Sequence, residues 1–140
     1  TLLSGDDVLY LDKIIAPRPV RFRTRIGSRE PAALTAGGKA ILAARPDGED
    51  ILARNAERQP LDVAALKAEL HEARRAGYAR SGYSPGVTSI GVAIAVGAAP
   101  AQAALSVSAP TDRLTAEPLK IAIDALLETG ARMAEALDSR

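Results

Sequence analysis

The chain has 140 residues, 47% hydrophobic and 25% charged, with a formal net charge of +1. That is the size and make-up of a single soluble globular domain with a real core, and the charge balance does not mark the whole chain as a nucleic-acid binder. Its lack of cysteine excludes disulfides, thiolate zinc sites and cysteine nucleophiles, and fits a reducing, cytoplasmic setting.

No apolar run reaches membrane-spanning length and no signal peptide is visible, so no membrane partner is expected. Tyr10, Phe22, Tyr78 and Tyr83 are the only aromatics, so the core must be aliphatic. The chain begins at Thr1 and enters a strand pattern almost at once. It reads as one domain, 1–140, cut from a longer protein, with its first strand truncated.

Ser4-Gly5-Asp6-Asp7 is a turn signal between Leu2-Leu3 and Val8-Leu9-Tyr10-Leu11, which predicts a β-hairpin. The second strand is expected to run from Val8 to Ile15, where Ala16-Pro17-Arg18-Pro19 ends it. Val20 to Ile26 alternates, with Val20, Phe22, Thr24 and Ile26 inward and Arg21, Arg23 and Arg25 outward. Gly27 to Leu34 reads as a loop.

Thr35 then caps a helix to Ala44. Gly37 and Gly38 sit in its first turn, either for close packing or to leave backbone N–H groups bare toward a ligand; both readings are open. A short helix follows at about Glu49 to Asn55. Asp62 caps a longer one whose apolar positions Val63, Leu66, Leu70 and Ala73 recur at helical spacing, ending at Gly77. Glu69, Glu72, Arg74 and Arg75 are its solvated residues. Tyr78 to Arg80 is extended, and Ser81 to Gly86 is a polar loop. Val87 to Val96 and Gln102 to Ala109 form an antiparallel pair. On the second of these, Ser106 and Ser108 share one face and Leu105 and Val107 the other. Thr115 caps the final helix. Antiparallel pairs with helices between and after them define an α+β domain, an antiparallel sheet with helices packed on it.

Catalytic signals are weak. His71, the single histidine, lies among charged residues and reads as solvated. Asp6-Asp7 and Glu49-Asp50 are the only acidic pairs and fit turn chemistry better than a metal site. Gly38-Lys39 invites a phosphate-loop reading, which fails because Ala33 and Ala40 stand where the first glycine and the Ser/Thr belong. Lys39 reads as solvated or partner-facing. Arg18, Arg21, Arg23, Arg25 and Arg29 form a basic cluster: a solvated strand face, a subunit contact or a nucleic-acid contact. The last lacks aromatic interleaving. If the face carrying Ser106 and Ser108 looks toward the Thr35 helix start, Ala36, Gly37, Ser89 and these serines enclose a small cavity with apolar walls and with hydroxyls and helix N–H groups inside. Such a cavity suits a carboxylate or carbonyl, although paired serines can also bond neighbouring backbone.

The order of motifs resembles the C-terminal effector-binding domain of IclR-family transcriptional regulators. The resemblance rests on Gly5-Asp6-Asp7-Val8-Leu9-Tyr10, Ile26-Gly27-Ser28-Arg29-Glu30-Pro31, Thr35-Ala36-Gly37-Gly38-Lys39-Ala40, Arg75-Ala76-Gly77-Tyr78, Gly86-Val87-Thr88-Ser89 and Leu105-Ser106-Val107-Ser108-Ala109-Pro110. It implies a GAF-like fold, a homodimer or tetramer, no cofactor, and an N-terminal winged helix-turn-helix that reads operator DNA and lies outside this chain. It implies a small organic or aromatic acid as effector, with pocket residues at Ala36, Gly37, Val87, Ser89, Ser106 and Ser108. The segment after Gly77-Tyr78 is usually acidic in the family. Here it has no carboxylate and Ser81 is the nearest candidate, which favours a more anionic or an aromatic acid. The position of Ser89 is often a cysteine. A small enzyme using the same pocket and a purely structural oligomerisation domain are the rival readings.

Overall fold

The computed structural model describes residues 1–17 and 24–140. Six strands are described: β1 Leu2–Ser4, β2 Asp7–Leu9, β3 Arg29–Pro31, β4 Ala79–Ser81, β5 Val87–Ile94 and β6 Ala103–Pro110. They form one sheet in the order β3-β2-β1-β6-β5-β4, and every pairing is antiparallel. Helices α1 Ala36–Ala43, α2 Gly48–Arg58 and α3 Val63–Ala76 lie on one side, and α4 Ala116–Asp138 on the other. This is the α+β architecture expected from the pairing of strands.

The period-2 alternation of β5 and β6 divides the core. Ile90 and Val92 point to α4, where Leu126 is buried and Leu105, Leu119 and Ile123 pack against them. Ala104 points the other way, into the larger cluster built by Ile41 and Leu42 of α1, Ile51 and Leu52 of α2, and Leu66 and Leu70 of α3. Gly91 shares that second face. A Cβ there would lie 2.6 Å from the carbonyl carbon and oxygen of Ala36, so only glycine lets the start of α1 rest directly on the sheet.

Local signals account for the helix ends. Thr35 Oγ1 accepts from Gly38 N at 3.0 Å, and Asp62 Oδ1 accepts from Ala65 N at 3.0 Å. Gly77 closes α3 with φ 86°. Thr115 does stand at the cap of α4, but its side chain makes no capping bond and Ala116 is left-handed with φ 46°. Asn55, fully buried on α2, accepts from Ala33 N at 2.8 Å and donates to the Asp6 carbonyl at 2.9 Å. Asp6 and Asp7 accept from Arg54 and Arg58, tying the first hairpin to α2.

The segment from 10 to 31 departs from expectation. The second strand ends at Leu9, not Ile15, and Ile14 is almost wholly exposed. Its two arms touch without a ladder: Tyr10 N donates to Ser28 O, Gly27 N to Tyr10 O, and Lys13 Nζ to Thr24 O at 2.6 Å. Ile26 is 59% exposed in a turn, so it is not an inward strand position. Thr24 and Arg25 lie in no strand, while Val20 to Arg23 of the expected alternation, with Arg18, fall outside the described residues. The expected loop Gly27–Leu34 instead contains β3 and a 3-10 turn, Ala32–Leu34. Pairing with β2 at Val8 and Glu30 supplies the partner that local sequence could not reveal. Arg29 is engaged there, bonded to Ser4 O at 2.8 Å and facing Asp7 at 3.6 Å.

Candidate functional site

The two glycines of α1 have different roles. A Cβ on Gly38 would strike the Ala32 backbone oxygen at 2.1 Å, so Gly38 serves close packing. A Cβ on Gly37 would meet side chains: Thr1 Oγ1 at 2.8 Å, Ala104 Cβ at 3.4 Å and Ser106 Oγ at 3.9 Å. Gly37 thus forms the wall of a cavity of about 470 Å³. Thr35 Oγ1 takes Gly38 N, and the first-turn N–H groups of Ala36 and Gly37 have no partner among the described residues. They sit at the positive end of the helix.

All seven residues singled out in the sequence line this one cavity: Ala36 and Gly37 on α1, Ser81 at the end of β4, Val87 and Ser89 on β5, and Ser106 and Ser108 on β6. Strand register brings the serines together. Ser89 stands opposite Ser81 on one side and Ser108 on the other, and Gly91 stands opposite Ser106. The hydroxyls of Ser89 and Ser108 are 2.6 Å apart. Ser81 plays a different part from the rest. It is buried, donates to the Leu34 carbonyl at 2.6 Å and accepts from Tyr83 N at 3.2 Å, so it fastens β4 to the segment entering α1.

The cavity is mixed in character: apolar surface from Leu34, Ala36, Val87 and the rings of Tyr10 and Tyr83 alternates with hydroxyls. The loop after Tyr78 supplies no carboxylate, as expected, but Glu30 of β3 lines the cavity, as does Arg25 from the arm, and neither was expected there. Glu30 also acts on Tyr10, another lining residue. Burial, and secondarily the Glu30 charge, raise the Tyr10 phenol above its ordinary value, so it stays a neutral donor. The sequence reading missed Thr1, Tyr10, Arg25 and Glu30 because they reach the cavity through β1, β3 and the arm. Glu30 does lie in a motif that carries the resemblance, Arg29-Glu30-Pro31, which was the available signal.

Lys39 is neither solvated nor partner-facing. Its side chain is 9% exposed and its ammonium pairs with Glu69 Oε2 at 2.5 Å and faces Arg80 O at 3.3 Å. It ties α1 to α3 and points away from the cavity. Arg74 is exposed, as expected, and also donates to Ala43 O at 2.7 Å and Arg45 O at 3.1 Å, covering bare carbonyls at the end of α1. His71 is exposed beside Glu49 and remote from the cavity lining. Among the described residues no His, Cys, Asp and Glu group could hold a metal ion, and no helix is long and apolar enough to cross a membrane.

The family model described as bacterial transcriptional regulator IclR C-terminal matches residues 1–135. SauR of Cupriavidus necator, described as a probable transcriptional regulator, is 32% identical over 92% of this chain and 58% of its own length. The HTH-type transcriptional regulator TtgV of Pseudomonas putida is 41% identical over 55% of this chain and 32% of its own. The crystal structure of the Thermotoga maritima IclR superposes with a TM-score of 0.86 at 26% identity, over 98% of this chain and 59% of that one. The chain therefore spans well under two thirds of the length of these relatives.

Proposed function

The chain belongs to the IclR family of bacterial transcriptional regulators as their C-terminal domain, and on that footing we propose that it senses a small organic acid for a DNA-binding regulator. The observation that carries this reading is the convergence of Gly37, Ser89, Ser106 and Ser108 on one cavity beside the bare N–H groups of α1. The acid's carboxylate meets those N–H groups and the neighbouring hydroxyls. The family is one of regulators, not enzymes.

The fold is of the GAF-like type, a sheet flanked by helices that encloses a small molecule at one end. The domain acts in a cytoplasmic homodimer or tetramer, and operator DNA is bound by a winged helix-turn-helix elsewhere in the whole protein. The greater length of the relatives and the helix-turn-helix type of TtgV support that arrangement. Helix α1 touches α2, α3, β4, β5 and β6, so an effector at its start biases the packing of both neighbouring helices and the sheet. Ligand binding then shifts the population of subunit arrangements and the spacing of the DNA-binding parts.

A thermal-shift panel of organic acids tests this. A binding acid at about 100 times its dissociation constant adds about 2.7 kcal/mol of stability. Ser106→Leu, which fills the cavity from an exposed strand position, should abolish the shift. Stabilising acids whose effect survives Ser106→Leu would show that the site lies elsewhere.

A further inference from the structure

Among the described lining residues, eleven of seventeen carry a hydroxyl. Some are already engaged: Ser81 donates to Leu34 O, Ser28 to Arg25 O, and Thr35 caps α1. Others keep capacity directed at the cavity. Thr1 Oγ1 is buried with no partner among the described residues. Ser106 Oγ has none among the described residues. The Ser89–Ser108 contact needs one proton, which leaves the pair a second O–H to donate. Covering such groups with an apolar ring or alkyl chain strands them, at about 1–3 kcal/mol for each one left dry. The apolar surface on offer, from Leu34, Ala36, Val87 and the Tyr10 and Tyr83 rings, leaves those hydroxyls unsatisfied.

The charges agree. A lone anionic ligand would gain from Arg25 and the α1 N–H groups but would be repelled by Glu30. A carboxylate such as Glu30 is well matched when it accepts from ligand hydroxyls, since it offers two oxygens and no donor. Neutral Tyr10, held beside Glu30, adds a donor at the same place.

We infer that the effector is a polyhydroxylated carboxylic acid of the aldonic type, not an aromatic or alkyl acid. Its carboxylate lies toward Arg25 and α1, and its hydroxyls lie on Glu30, Tyr10 and the β5–β6 serines. This rests on the effector-site reading above and narrows it. The narrowing runs opposite to the preference that the carboxylate-free loop after Tyr78 suggested.

Isothermal titration of the chain with D-gluconate, hexanoate and benzoate tests it. Hexanoate matches gluconate in carbon count and charge but lacks the hydroxyls. Gluconate should bind roughly tenfold or more tightly than either. The double variant Ser106→Ala with Ser108→Ala, both at exposed positions, should lose that advantage while its melting temperature falls by no more than about 5 °C. If hexanoate or benzoate binds as tightly as gluconate and Ser106→Leu abolishes it, the hydroxylated class is wrong and the effector site stands. If none of the three binds, this inference fails, and the wider acid panel decides the site separately. Binding of gluconate that Ser106→Leu leaves intact removes both readings.

Discussion

Ser89 and Ser108 stand directly opposite each other in the β5–β6 ladder, with their hydroxyl oxygens 2.6 Å apart. Both side chains line the cavity at the start of α1. They share one hydrogen bond, so removing either hydroxyl removes the whole contact. Ser89→Ala and Ser108→Ala should each cost no more than about 1 kcal/mol, and the double variant should cost no more than the larger single change. Urea denaturation of the four proteins measures the coupling; simple additivity would mean the contact contributes nothing.

Gly91 is the point where α1 meets the sheet. A Cβ there falls 2.6 Å from the Ala36 carbonyl carbon and oxygen and 2.7 Å from Gly37 N. Those are backbone atoms and cannot swing aside. Gly91→Ala should destabilise by about 3 kcal/mol and displace the N–H groups that border the cavity. Chemical denaturation reads the first effect and acid binding the second.

Lys39 and Glu69 are unequally buried, at 9% and 49% side-chain exposure. The buried partner depends on the exposed one. Among the described residues, Glu69→Ala leaves the Lys39 ammonium with only the Arg80 carbonyl at 3.3 Å, and it should cost about 1–2 kcal/mol. Lys39→Met removes charge and keeps volume, and should stay within about 1 kcal/mol of the parent. The reverse order in a denaturation experiment would show that the lysine is better solvated than its burial implies.

Ala116 opens α4 with φ 46°, a conformation that costs an L-residue about 1 kcal/mol. Ala116→Gly should relieve it and, after the added freedom of the unfolded chain, stabilise by at most about 1 kcal/mol. A lowered melting temperature would show that the turn is not strained.

The Tyr10 phenol is raised above its ordinary value of 10.0 first by burial and then by Glu30. Folding therefore favours the neutral phenol. Its contribution to stability is complete below that ordinary value and is lost as pH rises past it. Tyr10→Phe should delete an absorbance step lying above pH 10, and Glu30→Gln should move that step downward. A Tyr10 step unmoved by Glu30→Gln would mean that burial alone sets it.

The sequence by itself determined the elements whose cause is local. Thr35 and Asp62 cap where their hydroxyl and carboxylate can reach an unpaired N–H, Gly77 ends a helix where φ must be positive, and the alternation of β5 and β6 sorts Ile90, Val92 and Leu105 from Ser89, Ser106 and Ser108. Placing those serines on a cavity with Gly37 was within reach because period-2 and period-3.6 patterns fix which side chains share a face. Tertiary structure decided what depends on pairing across the chain. Strand β3 exists because Val8 and Glu30 meet, whereas its own residues, Arg29, Glu30 and Pro31, favour no strand. The same pairing brings Glu30 to the cavity and adds a charge that the serines of β5 and β6 do not supply. Lys39 is buried because Glu69 arrives from α3, and a window along the chain contains no record of that contact.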